Sequence, residues 1–91
     1  MNDPVIVRCE PTPNPNAMKF SINRKVIDKG SRTFHANEKT DDPLAKQVLR
    51  IPGIKSLFML NNFISVSCES KASWTELSPK IEAVLKQHFS D

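Results

Sequence analysis

Proline placement is the feature that most restricts how this chain can fold. Three of its seven prolines, Pro11, Pro13 and Pro15, fall within five positions. Each fixes its own φ angle and biases the preceding residue toward an extended conformation, so this segment is predicted to be a stiff loop. Pro43 suits the first position of a helix, and a helix that begins at Pro43 must end before Pro52. Regular structure is therefore expected in short segments between the prolines.

The segments on both sides of the stiff loop have the pattern of strands. Residues 5–10 and 17–22 each place apolar side chains at every second position, which is the period of a strand. A stiff six-residue connection predicts that the two strands pair antiparallel. Residues 26–27 are a weaker strand candidate, and residues 32–36 are predicted to form a short third strand.

A helix and a hairpin are predicted next. Asp42 can cap the free N–H groups of a helix that begins at the following proline and stops at Ile51. Two alternating runs, 54–60 and 63–69, are separated only by Asn61–Asn62. Asparagine tolerates the left-handed conformation of a two-residue turn, so these runs are predicted to form a β-hairpin.

The last helix is predicted to begin at Ser73. Ser73 and Glu76 have the spacing of a capping box, in which the two side chains satisfy each other's backbone donors. Pro79 removes one hydrogen bond from this helix. Either the helix is kinked there, or Ser78 is a second cap and the helix begins at that point.

Size and composition exclude several classes of protein. A chain of 91 residues and 10.3 kDa is predicted to form a single domain over residues 1–91, too small for a large enzyme fold. With 38% hydrophobic and 25% charged residues it has the composition of an ordinary globular domain. We expect no membrane span, because no apolar run is long enough to cross a bilayer, and no secretory signal. We expect a cytoplasmic monomer that is not an enzyme and does not bind membranes.

The positive charge is concentrated in one segment. Residues 19–39 contain six basic and two acidic residues, a net charge of +4, whereas the whole chain carries +3. A solvated surface around a hairpin explains this pattern, and the scarcity of aromatic residues argues against nucleic acid. The alternative is an anion site in which Arg24, Lys25 and Arg32 bind an acidic or phosphorylated peptide.

Four residues are candidates for metal binding or nucleophilic chemistry: Cys9, Cys68, His35 and His88. Both cysteines fall at apolar-facing strand positions, where a free cysteine most often serves as a small buried hydrophobic residue. If their strands paired, a disulfide or a metal shared with a histidine would also be open to them. His88 is more simply explained as a residue at the end of a helix that interacts with the helix dipole.

The stiff loop is the most distinctive local sequence. A rigid connector explains its prolines, but it leaves the repeated asparagines without a role. Their side-chain amides offer hydrogen bonds to a partner's backbone or to an anion. Thr12, Asn14, Asn16 and Lys19 are therefore predicted to bind a partner.

These residues resemble the N-terminal domain of Nfu/NifU-type iron–sulfur cluster scaffold proteins. The run EPTPNPNAMKF resembles the signature that opens that domain. Further matches are DPLA at 42–45, IPGIKSLF at 51–58, NFISV at 62–66, Trp74 and the helix over 79–89. The resemblance implies a two-layer α+β sandwich, with a mostly antiparallel sheet of four to five strands and two helices on one face, in the order β-β-(β)-α-β-β-α.

The resemblance also implies a function. In that family a Cys-x-x-Cys motif in a separate C-terminal domain holds the cluster, and this sequence has no such motif, so no ligand role passes to Cys9 or Cys68. We expect the domain to stand alone as an accessory or interaction module in iron–sulfur cluster assembly or delivery. It would bind iron or partner proteins, the partners being assembly scaffolds or apo-acceptor proteins. Iron or a transient iron–sulfur cluster is left as the candidate cofactor.

Overall fold

The computed structural model describes residues 4–89. It contains one five-stranded sheet and two helices, which confirms the predicted α+β class and element order. The elements are β1 (Val7–Pro11), β2 (Ala17–Ile22), β3 (Ser31–His35), α1 (Pro43–Leu49), β4 (Ile54–Leu60), β5 (Phe63–Cys68) and α2 (Trp74–Phe89).

The sheet has the strand order β1-β2-β5-β4-β3, and every neighbouring pair is antiparallel. Both predicted hairpins, β1 with β2 and β4 with β5, are present. The third strand lies within one residue of its predicted position and pairs with β4, so β1 and β3 form the two edges of the sheet.

The turn between β4 and β5 organises one end of the sheet. Asn61 has a φ angle of 52°, the left-handed conformation predicted for this turn. Its carbonyl accepts hydrogen bonds from the N–H groups of Val26 at 2.8 Å and Ile27 at 3.3 Å. The strand candidate at residues 26–27 therefore forms no strand, because these two residues bond to a turn.

Helix α1 begins as its sequence predicts and ends at Leu49, two residues before the predicted Ile51. The Asp42 carboxylate accepts a hydrogen bond from the N–H of Ala45 at 2.9 Å, and Pro43 occupies the first turn. At the other end, the N–H of Arg50 still reaches the carbonyl of Lys46 at 3.2 Å. The helix is then closed ahead of Pro52.

Helix α2 is continuous from Trp74 to Phe89 and passes through Pro79, so the alternative start at Ser78 is wrong. The Ser73 carbonyl accepts hydrogen bonds from the N–H groups of Glu76 at 3.1 Å and Leu77 at 2.9 Å. Within residues 4–89, neither helix combines the length and the apolar character needed to cross a membrane.

Both helices pack against the same face of the sheet, and the core lies between the helices and the sheet. Helix α1 buries Leu44, Ala45 and Val48, and α2 buries Leu77, Ile81 and Leu85. These six side chains meet one alternating set of strand residues: Phe20, Ile22, Phe34, Ile54, Leu57, Met59, Ile64, Val66 and Cys68. The result is the predicted two-layer sandwich.

The opposite side of the sheet, here called the open face, carries the other alternating set. Neither helix covers it. Its strand residues are Arg8 and Glu10 from β1, Ala17, Lys19 and Ser21 from β2, Phe63, Ser65 and Ser67 from β5, Ser56, Phe58 and Leu60 from β4, and Ser31, Thr33 and His35 from β3. On β5 the open-face residues Phe63, Ser65 and Ser67 are only half-buried, whereas the alternating residues under the helices are buried.

Candidate partner-binding site

The loop over residues 11–16 is held together by the Thr12 hydroxyl. This oxygen accepts a hydrogen bond from the N–H of Asn14 at 3.1 Å and lies 2.9 Å from the Asn14 carbonyl and 3.1 Å from the Ala17 carbonyl. The Asn14 side-chain oxygen accepts from the N–H of Asn16 at 2.9 Å. Thr12 therefore shapes the loop from within, and its hydroxyl is engaged there.

The same loop is also fixed to the rest of the domain. Trp74, the first residue of α2, donates its indole N–H to the carbonyl of Pro15 at 3.1 Å. The N–H of Cys68 donates to the carbonyl of Asn16 at 2.8 Å. Trp74 in turn packs on Phe20, with 6.4 Å between ring centroids. The loop is thus positioned by β5 and by α2 together.

The asparagine side chains of the loop differ in how far they are used. The side-chain oxygen of Asn14 is occupied by its hydrogen bond from the backbone N–H of Asn16. The side-chain amide of Asn16 is exposed and forms no hydrogen bond within the part of the chain that the structure describes. At least one amide of the predicted site is therefore available to a partner.

Asn14 and Asn16 line an open cleft of about 680 Å³ at the end of the sheet. Its other walls come from the segment after β3, the start of β4 and the end of β5. The remaining lining residues are His35, Ala36, Asn37, Ile54, Lys55, Ser56, Ser67, Cys68, Glu69 and Ser70. Side-chain amides and hydroxyls predominate among the polar groups.

A β-bulge shapes this cleft. The pairing of β4 with β5 passes from Ile54 opposite Cys68 directly to Ser56 opposite Ser67, so Lys55 is an extra residue. The carbonyl of Lys55 accepts a hydrogen bond from the N–H of Ala36 at 2.8 Å. The bulge therefore links β4 to the segment after β3 at the cleft wall.

Lys19 does not line the cleft but lies further along the open face, which the cleft reaches through His35, Ser56 and Ser67. Its ammonium nitrogen is 4.5 Å from the ring centroid of Phe63, close enough for a cation–π contact. Its neighbours across the sheet are Glu10 on β1 and Ser65 on β5. Of the four predicted partner-binding residues, Thr12 thus holds the loop together and Lys19 lies on the open face. Asn14 and Asn16 line the cleft.

The residues of the alternative anion site are also separated. Arg24 and Lys25 line a shallow depression of about 490 Å³ beside Asn61, at the opposite end of the sheet from the cleft. Arg32 is absent from its lining and places its guanidinium 4.8 Å from the ring centroid of Phe34. Only two of the three basic residues therefore share one surface feature.

Comparison with known proteins identifies the family. The family model described as "Scaffold protein Nfu/NifU N terminal" matches residues 7–91. This chain belongs to the Nfu/NifU N-terminal family. The family resemblance of the loop and of the later motifs is therefore confirmed.

Relatives of this Nfu/NifU N-terminal domain include longer proteins. It is 41% identical over 86 residues to "Conserved virulence factor C" of Staphylococcus aureus (strain bovine RF122 / ET3-1), covering 94% of this chain and 22% of that protein. The protein of the same name from Staphylococcus saprophyticus is 39% identical over 80 residues, covering 88% of this chain and again 22% of the relative. The chain therefore spans about a fifth of the length of these relatives.

Solved structures share the Nfu/NifU N-terminal fold. The crystal structure of protein SAV1430 from Staphylococcus aureus has a TM-score of 0.77 at 31% identity and covers 91% of this chain and 99% of its own. The solution structure of a NifU-like protein from Saccharomyces cerevisiae has a TM-score of 0.80 at 25% identity. The match covers 96% of this chain and 82% of that chain.

The two cysteines of this family member lie in different environments. Cys68 is buried, as predicted, and burial together with the nearby Glu69 carboxylate raises the pKa of its thiol. Cys9 is exposed, so its predicted burial is wrong: it lies on the helix-covered side of an edge strand, 3.8 Å from the Ser78 hydroxyl. Strand β2 separates their two strands, and Cys9 is level with Ile64, four residues along β5 from Cys68, so the two thiols lie far apart and both are free.

The described residues do not fit a metal or cluster site. Nowhere in residues 4–89 do three or more His, Cys, Asp or Glu side chains come together in a group that could hold a metal ion. His35 is exposed at the cleft, and His88 packs edge-on against Phe89 in the last turn of α2, with 4.8 Å between ring centroids. Neither histidine is brought together with a pair of thiols.

Most of the cleft lies outside the residues predicted to bind a partner, which include only Asn14 and Asn16 of its lining. The sequence favours His35 only as a metal ligand and predicts no role for Asn37, Ser56 or Ser70. They meet Asn14 only because of the bulge at Lys55 and the pairing of β3 with β4. The density of asparagine and serine at strand ends was the one signal in the sequence.

Proposed function

We propose that this chain is a partner-binding module in iron–sulfur cluster assembly or delivery, and that the cleft beside Asn14 and Asn16 receives an extended segment of the partner. One observation carries the proposal. A loop stabilised from within by Thr12, and from outside by Trp74 and Cys68, presents the unused amide of Asn16 at the mouth of a polar cleft.

The chemistry of the cleft suits a peptide backbone. An asparagine amide offers one acceptor and two donors, which matches the N–H and C=O groups of an extended chain. Serine hydroxyls at 56, 67 and 70 add groups that can donate or accept. Because the loop is already ordered, little conformational entropy is lost when a partner binds.

In this proposal the module works in the cytoplasm and acts by binding rather than by catalysis. Cluster or iron would be cargo held by the partner, since residues 4–89 bring no three metal-ligating side chains together. The partner would be a cluster scaffold or an apo-acceptor protein, in keeping with the scaffold family to which the chain belongs.

The test is an NMR titration of the labelled chain with a purified cluster-loaded scaffold and with an apo-acceptor protein. We expect amide shifts at residues 14–16, 35–37 and 67–70. The double variant Asn16→Ala/Asn37→Ala should weaken binding about tenfold through lost hydrogen bonds. Thr75→Ala, an exposed change on α2, is the matched control and should bind like the parent.

Two results would contradict the proposal. One is an affinity that the double variant leaves unchanged. The other is anaerobic titration with ferrous iron alone that broadens the signals of Cys68 and His35, since that would place a metal site where the proposal has none.

The alternative function is recognition of an acidic or phosphorylated peptide. The observation in its favour is the depression that Arg24 and Lys25 share. Replacing both residues by glutamine should then abolish binding of a phosphopeptide, and parent affinity should fall steeply as salt rises. Arg32→Gln is the control, because that residue lies outside the depression.

A further inference from the structure

The open face carries an apolar patch in its middle. Phe58 and Phe63 lie diagonally on the two central strands β4 and β5, with 6.5 Å between ring centroids and 52° between ring planes. Leu60 is the direct cross-strand neighbour of Phe63. All three side chains are half-buried, although neither helix covers them.

Ile6 adds an apolar group at the β1 edge of the same face, with Ser21 on β2 between β1 and Phe63. Its neighbours Val5 and Val7 pack against the core, so Ile6 lies on the open side of the chain. It is 55% exposed, and its backbone is held in extended form by Asn23, whose side-chain oxygen accepts from the Ile6 N–H at 2.9 Å. We call Ile6, Phe58, Leu60 and Phe63 the apolar patch.

Basic groups border the patch. Arg8 lies beside Ser21, the neighbour of Phe63, and Lys19 is held over the Phe63 ring. Among the strand positions that the structure describes on this face, Glu10 alone carries a carboxylate. The border therefore favours an acidic occupant over a basic one.

The backbone of the sheet determines which secondary structure can lie here. Within the sheet the backbone N–H and C=O groups pair between strands, so the face offers an occupant no main-chain partner. An extended segment laid on it would bury unsatisfied backbone groups. A helix satisfies its own backbone and buries one apolar stripe, which is how helices cover sheets in two-layer folds.

Two other occupants fit less well. Nucleobases stack on free ring faces, but the Phe63 face is occupied by the Lys19 ammonium. A second copy of the chain would bring Arg8 and Lys19 of one face against the same residues of the other, with few carboxylates to offset them.

We propose that the apolar patch docks an acidic amphipathic helix of a partner protein, with Arg8 and Lys19 pairing with its carboxylates. The patch spans β1 to β4, three strand spacings or about 14 Å, which a helix of about ten residues covers. This surface lies apart from the asparagine amides of the cleft, and its occupant differs from the extended segment proposed there.

The probe is a 14-residue helix-stabilised peptide with leucine along one stripe and glutamate elsewhere. A matched peptide carries lysine in place of every glutamate. We expect the acidic peptide to shift the NMR signals of Lys19, Leu60, Phe63 and Ser65, and the basic peptide to leave them unchanged. Because this probe contains no scaffold, acceptor or cluster, its result is independent of the function proposed for the cleft.

Charge reversal supplies the matched variants. Lys19→Glu should weaken binding of the acidic peptide about tenfold and create binding of the basic peptide, because it reverses the sign of the proposed ion pair beside the apolar patch. Lys86→Glu makes the same charge change at an exposed position on α2, on the other side of the domain, and should alter neither.

Several outcomes would overturn the inference: no shift at the patch with either peptide, equal binding of both, or equal loss in the Lys19→Glu and Lys86→Glu variants. Two further outcomes would replace the occupant. A twelve-residue oligothymidylate that shifts the patch while the acidic peptide does not would indicate nucleic acid, and concentration-dependent dimerisation seen by sedimentation would indicate a second copy.

Discussion

The two ends of this sheet use asparagine in opposite ways. At the end opposite the cleft, Asn23 donates to the Pro4 carbonyl at 2.8 Å and accepts from the Ile6 N–H, and the Asn62 amide donates to the Ile22 carbonyl at 3.1 Å. At the cleft end, the Asn16 amide is left unused within the described residues. Apart from Asn14, whose side-chain oxygen holds the Asn16 backbone, asparagines that look alike in sequence are therefore structural at one end and available for recognition at the other.

The largest expected effect comes from releasing the loop at the cleft end. Trp74→Ala removes the hydrogen bond to Pro15 and the packing on Phe20, and should lower the free energy of unfolding by about 2–3 kcal/mol. Urea denaturation measures it. Trp74→Phe keeps most of the packing on Phe20, so it should lose clearly less stability. Equal losses in the two variants would mean that this ring packing does not contribute to stability.

The next effect tests the hydroxyl group of Thr12. Thr12→Val keeps the shape of the side chain but removes the oxygen that serves Asn14 and Ala17, so the free energy of unfolding should fall by about 1–2 kcal/mol. Amide hydrogen exchange should speed up at Asn14 and Ala17. An exchange pattern unchanged from the parent would show that the loop does not depend on this hydroxyl.

The turn at the other end should respond to backbone conformation alone. Asn61→Ala forces a residue with a Cβ and no polar side chain into a φ angle of 52°, which should cost about 1 kcal/mol. Asn61→Gly accepts that angle and should restore most of the stability in thermal unfolding. If glycine is as harmful as alanine, the side chain of Asn61 matters more than its backbone angle.

The smallest expected effect sharpens the contrast between the ends. Asn16→Ala should change the free energy of unfolding by less than about 0.5 kcal/mol, because its side-chain amide has no partner to lose. Asn23→Ala removes two hydrogen bonds and should cost about 1–2 kcal/mol. Similar losses of stability in the two variants would show that Asn16 and Asn23 do not differ in structural role.

Local sequence patterns predicted most of the fold. The strand over 17–22, the capped start of α1 and the turn at Asn61 depend on alternation, a cap and a left-handed residue, which are properties of neighbouring positions. Once these elements and the family resemblance are given, the two-layer arrangement follows, because each element has one apolar side to bury.

The site was less predictable because it depends on pairing between distant segments. The cleft exists where the bulge at Lys55 meets the loop and the end of β3, and no neighbouring residues encode that meeting. Cys9 has the alternation of a buried residue, yet it lies on an edge strand where the covering layer ends. Thr12 was predicted to bind a partner, whereas its hydroxyl is engaged inside the loop.

Trp74 is the only tryptophan in the sequence, and its indole nitrogen is bonded to the loop carbonyl at Pro15. Excited at its red absorption edge, the protein therefore emits from a single fluorophore whose polar end touches the segment proposed to meet a partner. Any occupant that pulls this loop from α2 changes the wavelength and intensity of that emission. The domain thus carries an intrinsic optical reporter of loop engagement, and it needs no label.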